Sequence, residues 1–131
     1  MNFEFTVRTN SRTDFIDITE EISRSVRESK VEEGICTIFT PHTTAAITIN
    51  ENADPAVIHD MHLILDRMIP WSSPDYLHSE GNSAAHVKSS LVGCSESVII
   101  QKTKLRLGTW QCIYFCEFDG PRTRKVILHI A

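Results

Sequence analysis

A chain of 131 residues, 41% hydrophobic and 23% charged, has the size and composition of one globular domain, and a domain this long buries about two-thirds of the surface its unfolded chain exposes. The net charge of −4 argues against nucleic acid as a partner, because affinity for a phosphate backbone is carried by an excess of Lys and Arg. No stretch approaches the ~18 apolar residues of a membrane span, so no membrane partner is expected.

Residues 1–9 alternate apolar and polar side chains where a secretory leader would place a basic segment before an apolar run, so a cytoplasmic location is the expectation. The four cysteines Cys36, Cys94, Cys112 and Cys116 lack C-x-x-C spacing and read as buried free thiols.

In chain order, Phe3, Phe5 and Val7 alternate with polar residues at the period of a strand with one buried face. Phe15, Ile16 and Ile18 lead into a helix expected to start at Thr19, with the threonine as cap and Glu20 and Glu21 at the positive end of the dipole. Ile22, Val26 and Ser29 give it one stripe, and it ends before Gly34. Residues 34–39 and 45–50 read as strands, separated by the polar Thr40-Pro41-His42-Thr43-Thr44, where proline removes a donor. Asp54-Pro55 opens a second helix running to about Ile69, with Ile58, Met61, Leu65 and Met68 facing inward, and Pro70 stops it. A Ser/Pro/Asp/Gly-rich loop precedes a third helix, from Asn82 or Ser83 to Leu91, ended by Gly93. The last third reads as strands over residues 97–101, 105–107, 109–118 and 124–130, with turns at Thr103-Lys104 and at residues 119–122.

Strands and helices in blocks, closing on hairpins, indicate a single α+β domain over residues 1–131: a mainly antiparallel sheet with helices packed on one side. The run from Ile113 to Phe118 looks buried on both faces, which in so small a domain suggests packing against another subunit.

Chemistry concentrates at His78-Ser79-Glu80-Gly81-Asn82, followed by His86. A loop-to-helix junction exposes backbone amides and the positive end of a dipole, which suits an anion, and histidine with glutamate supplies metal ligands or a general base. The bland alternative is that Gly81 and Asn82 start the helix and both histidines are solvated. His42, in the polar break between two strands, gains weight only from their company. Three imidazoles would leave an open position on a zinc-type ion. Glu51 has no capping duty beside Asp54 and is the acidic candidate of its segment. Glu117 sits in an apolar strand, where a carboxylate needs a partner; it either points at the site or pairs with Arg122 or Arg124. His59 and His62 read as solvated, His129 as a sheet-surface residue and Trp110 as packing.

The segments Thr40-Pro41-His42-Thr43-Thr44-Ala45-Ala46-Ile47 with Asn50-Glu51-Asn52-Ala53-Asp54-Pro55, His78-x-Glu80-Gly81-Asn82-x-x-Ala85-His86, and Leu107-Gly108-Thr109-Trp110-Gln111 with Glu117 resemble the YjbQ-like family over nearly the whole chain. The resemblance implies a homotrimer and a pocket in which His42, His78 and His86 hold a divalent metal, zinc first. It also implies a secondary thiamine-phosphate synthase activity, joining a pyrimidine pyrophosphate to a thiazole phosphate. On that expectation Glu51, Glu80 and Glu117 are the catalytic candidates. Gly81, Asn82, Trp110, Gln111, Arg122 and Arg124 would bind the small phosphorylated substrate. No glycine-rich phosphate loop or Asp-rich magnesium motif is present, which suits a side activity better than a dedicated one. The rival readings are a non-catalytic small-anion or metabolite-binding protein and a metal-dependent hydrolase.

Overall fold

The computed structural model describes all 131 residues. In chain order its elements are β1 (Asn2–Arg8), β2 (Asp14–Asp17), α1 (Thr19–Ser29), β3 (Glu33–Phe39), β4 (Ala45–Glu51), α2 (Pro55–Met68), α3 (Ser83–Val92), β5 (Ser95–Gln101), β6 (Lys104–Leu105), β7 (Gln111–Glu117) and β8 (Thr123–Ile130). The α+β class holds and every strand pair is antiparallel, but the expected single sheet is two. One sheet has the order β1-β8-β3-β5-β6 and the other β2-β7-β4.

Alternation sets the inner face of the larger sheet: Val126, Leu128 and Ile130 of β8 are buried, and Phe3, Phe5 and Val7 of β1 point to the same core. That core also takes Ile22 and Val26 of α1 and Ile113 and Phe115 of β7. On the other side of β7, Tyr114, Cys116 and Phe118 pack with Ala85 of α3, and Ile58 and Leu65 of α2 lie against them. The strand expected to be buried on both faces is so buried, and the chain's own helices cover the second face. Each fully buried aromatic of this kind contributes about 1.5–3 kcal/mol.

Several local expectations change. Residues 14–17 form a strand, pairing Phe15 with Cys116 and Ile16 with Phe115. Thr19 does not cap α1: its hydroxyl accepts the Ile113 amide at 2.8 Å, while the Asp17 carboxylate accepts the Thr19 amide at 2.9 Å. α1 ends before Gly34 as expected, at Lys30, which turns left-handed at φ 59°. Asp54 caps α2 as expected, accepting from Ala56, but the expected inward stripe is only half realised. No residue of α2 is fully buried, and Met68 is 64% exposed. Of the cysteines, Cys36 and Cys116 are buried, whereas Cys94 is exposed and Cys112 half-buried. The β5–β6 turn falls at Lys102 and Thr103, and Trp110 lies outside β7, 64% exposed rather than packed. No helix is long and apolar enough to cross a membrane.

The connection from β7 to β8 passes so close to the segment after β1 that only glycine fits at position 120: a Cβ there would lie 2.4 Å from the Ser11 carbonyl oxygen and 2.8 Å from the Thr9 hydroxyl. Gly120→Ala therefore forces backbone apart and costs about 1–3 kcal/mol, read as a lower midpoint in denaturant unfolding; an unchanged midpoint counts against this contact.

Candidate functional site

The site forms where the β3–β4 connection, the loop before α3 and the β7–β8 turn meet. Its frame is a buried ion pair. Glu117, at the end of β7, and Arg124, in the inward register of β8, are both buried. The two Glu117 oxygens accept from the Thr9 hydroxyl at 2.9 Å, from Arg124 Nε at 2.8 Å, from the Asp119 amide at 3.0 Å and from Arg124 Nη2 at 2.5 Å. Arg124 Nη2 also donates to the Thr44 hydroxyl at 2.8 Å. Of the two sequence alternatives for Glu117, pairing with Arg124 is the one found. Its lone pairs are committed to the scaffold, so it is not free as a catalytic carboxylate.

In front of this pair opens a cavity of about 320 Å³ whose lining contains no apolar side chain. Thr43, Thr44, His78, Glu80, Asn82, His86, Asp119 and Arg122 surround it, with Arg124 at its base. Gly81 takes φ +71°, a conformation that favours glycine, and so turns the loop into α3. Asn82 then occupies the N-cap without capping: its side chain makes no bond to the first turn. Instead Asn82 Nδ2 donates to Asp119 Oδ2 at 2.9 Å, leaving Oδ1 buried with no partner. Arg122 donates to the same Asp119 oxygen at 2.9 Å and, through Nε, to the Asp119 carbonyl at 2.7 Å, yet its side chain is half exposed. One guanidinium edge is therefore held in place while the rest faces solvent.

His78 and His86 stand edge to face, ring centroids 5.4 Å apart, and Glu80 lies 4.0 Å from His78 Nε2. His42 opens into an adjoining cavity of about 460 Å³ that also takes His86, Ser89 and the exposed Cys94. His42 Nε2 accepts the Lys125 amide at 2.9 Å, which fixes its proton on Nδ1. Burial, and then the Arg124 charge, hold its pKa below the usual 6.5. Of the expected imidazole triad, His86 is thus the shared member of two cavities. The donor set does not converge as it stands: no three His, Cys, Asp or Glu side chains close on one point.

The other named residues lie elsewhere. Ala45 pairs with Glu117 at the near end of the small sheet, and Glu51 pairs with Gln111 at the far end. Six residues of strand put Glu51, Trp110 and Gln111 about 20 Å from the cavity. There Gln111 Oε1 accepts the Gly108 amide at 2.8 Å, and the Glu51 carbonyl accepts the Tyr114 hydroxyl at 3.0 Å. His59 is exposed as expected, but His62 is half-buried against Phe15, 4.4 Å between ring centroids. The sequence assigned no site role to Thr9, Thr43, Thr44 or Asp119, although Thr43 and Thr44 stand in the polar break beside His42 and Asp119 lies two residues after Glu117 in a turn with Arg122.

A family model described as UPF0047 protein YjbQ-like matches residues 3–131. The chain belongs to that family. A UPF0047 protein of Methanocaldococcus jannaschii is 53% identical over 99% of this chain and 94% of its own length, and YugU of Bacillus subtilis is 53% identical over 90% and 89%. A YjbQ/UPF0047 family crystal structure from Clostridium acetobutylicum superposes with a TM-score of 0.96 at 53% identity, covering 98% of this chain and 99% of that one. A structure from Aeropyrum pernix gives a TM-score of 0.94 at 32% identity, covering 100% and 98%.

In this YjbQ-like chain the acid limb of stability has an identifiable source. Burial alone would raise the Glu117 carboxyl, but the hydrogen bonds from Arg124, the Asp119 amide and Thr9 outweigh it and hold the pKa below the ordinary 4.5. A depressed carboxylate stabilises the fold above its unfolded pKa, and that stability is lost as pH falls through the folded pKa. Glu117→Gln leaves Arg124 buried without a counter-charge and costs about 3–5 kcal/mol at neutral pH. The variant also lacks this part of the acid-side fall. Urea unfolding at pH 7 and at pH 3–4 reads both effects; a wild-type-like midpoint at neutral pH counts against the pair as the frame.

Proposed function

We propose that the cavity binds a small phosphorylated molecule and that His78 and His86 exchange protons with it, making the protein an enzyme of small phosphorylated substrates. The observation that carries this is the mismatch at Asn82. A buried acceptor with no partner sits beside a guanidinium whose free edge faces a wholly polar cavity. A ligand with anionic oxygens and a hydroxyl or amine answers both. Leaving a buried polar atom unpaired costs about 1–3 kcal/mol, which such a ligand recovers on binding. The open first turn of α3 adds amides and a favourable dipole.

Thiamine-phosphate synthase chemistry belongs to this reading as a side activity. The phosphate ends match Arg122 and the α3 amides, but the lining offers the pyrimidine and thiazole rings no apolar wall, only the edges of His78 and His86. A divalent ion, zinc first, would draw on those two imidazoles and needs a third donor from a rearranged side chain or from the ligand. Its test is whether zinc raises the melting temperature of the wild type but not of His86→Ala.

Titration calorimetry with inorganic phosphate and with pyrophosphate tests the binding. Arg122→Ala is expected to weaken pyrophosphate by about tenfold or more, the loss of one charge-assisted contact. Equal affinity in that variant removes the reading. For catalysis, folded His78→Ala and His86→Ala variants are expected to fail to rescue a thiamine-requiring strain that the wild type rescues; normal rescue by both leaves a binding protein only.

A homotrimer is part of the same reading. It is supported by the apolar side chains left outside on α2 and α3, among them Ile64, Met68, Val87 and Leu91, and by Leu77, which is 96% exposed. Apolar side chains that share one exposed patch mark association surfaces. Light scattering behind size exclusion is expected to give three times the mass of one chain, and a monomer at micromolar concentration overturns it.

A further inference from the structure

A separate cavity, about 590 Å³, lies between α1 and the β5–β6 hairpin and shares no residue with the histidine cavities. Its character differs from theirs. One wall is a single stripe of α1, with Glu20, Ser23 and Arg27 at i, i+3 and i+7. The floor is apolar: Leu105 and Leu107, which also pack on the main core. The opposite wall is the hairpin turn, carrying Lys102 and Lys104.

Charge at the rim is unbalanced. Glu20 is engaged by Arg27 at 3.0 Å and the Glu33 carboxylate accepts the Lys102 amide at 3.4 Å, whereas the Lys102 and Lys104 ammonium groups take part in no ion pair. Two lysines without ion-pair partners therefore line the same cavity as two leucines. The turn that presents them is built against backbone preference. Lys102 (φ 53°) and Thr103 (φ 59°) both take the left-handed conformation, where a two-residue hairpin turn favours Asn-Gly and a β-branched residue is an outlier. The turn is held by the Thr103 amide donating to the Glu32 carbonyl at 3.1 Å. Strain of this kind persists where the surroundings over-determine it and clusters at ligand clamps. Here both strained residues line the cavity.

We infer that this cleft is a second binding site, for an amphiphilic anion: one carboxylate or phosphate on an apolar body the size of an aromatic ring or a short acyl chain. The anion meets Lys102 and Lys104, and the body lies on Leu105 and Leu107. The volume falls within the about 300–1,000 Å³ usual for small-molecule sites, and an apolar floor with a few placed charges is their usual composition. The wholly polar histidine cavity offers no such floor, so the two sites select different ligands.

The test uses 4-phenylbutyrate, phenyl phosphate and the neutral 4-phenylbutanol as probes of the full-length protein, followed by amide chemical-shift mapping. Both anions are expected to shift the amides of Ser23, Arg27, Thr103 and Leu107, with the alcohol at least tenfold weaker. Preference between the two anions assigns the head group as carboxylate or phosphate. The double variant Lys102→Glu, Lys104→Glu is expected to lose at least tenfold in affinity for the anions, while wild-type amide shifts away from the cleft show that it is folded. Shifts confined to the histidine cavity, equal binding of the alcohol, or unchanged affinity in the double variant each overturn the inference. Failure here leaves the histidine-cavity reading intact, and the reverse holds.

Discussion

The contact between Glu117 and Arg124 locks a junction where both sheets and two connecting segments meet. Glu117 ends a strand of the small sheet, Arg124 lies in the large one, Thr9 follows β1 and Thr44 precedes β4. Removing two charges from water costs several kcal/mol per ion, and attraction offsets that only when the remaining lone pairs and protons are satisfied. The carboxylate is satisfied here, with two donors on each oxygen, and Arg124 uses Nε and Nη2 in doing so. Apolar residues of equal volume could match such a pair in stability, so the ionic solution is best understood by what it fixes. It sets the positions of Thr44, Asp119 and Arg124, three residues that line the polar cavity.

From that frame the site follows as a chain of tethers. The Asp119 amide is held by Glu117; the Asp119 carboxylate then holds both Asn82 and Arg122. Asp119 thereby offsets part of the Arg122 charge while aiming it, and it draws the Asn82 amide away from the capping role its position would otherwise give it. The unpaired Asn82 Oδ1 and the uncapped first turn of α3 are two consequences of one hydrogen bond. Both cost stability, and a ligand combining donor and anion would relieve both.

Much of this was legible from residue order alone, and the limits have physical causes. Arg124 occupies the inward phase of Arg124-x-Val126-x-Leu128-x-Ile130, and Glu117 lies in an apolar run seven residues earlier across a turn. Residue order puts two opposite charges in buried register at that spacing, but leaves open whether Glu117 meets Arg122, Arg124 or the site. The caps of α2 and α3 were readable, through Asp54-Pro55 and Gly93. β2 was not, because four residues are too few to establish a period, and Thr19 misled because a hydroxyl at a helix start serves a neighbouring strand equally well. Helical periodicity identified an apolar stripe on α2 but carries no information on whether anything covers it. Nor does proximity of motifs in sequence reveal which end of a strand a residue reaches. Glu51 and Gln111 flank the same antiparallel pair that holds Glu117, at the opposite end.

The exposed apolar side chains bear on the site as well as on assembly. Val87 lines, with His78 and His86, a hollow that adjoins the histidine cavity, and Leu77, next to His78 in sequence, is exposed, so groups that water solvates poorly stand beside the site. Covering those groups would lower the local dielectric around Arg122, His78 and His86. An ion contact worth about 1 kcal/mol at 4 Å in bulk water is worth about 4 kcal/mol at the effective dielectric of a protein surface. Closure over these residues, by a second copy or by the apolar part of a ligand, would thus strengthen the same polar contacts that the Glu117–Arg124 frame positions. The alternation of apolar and ionisable residues at 77–78 and 86–87 is therefore consistent with a site that reaches full strength only when the groups beside it are covered.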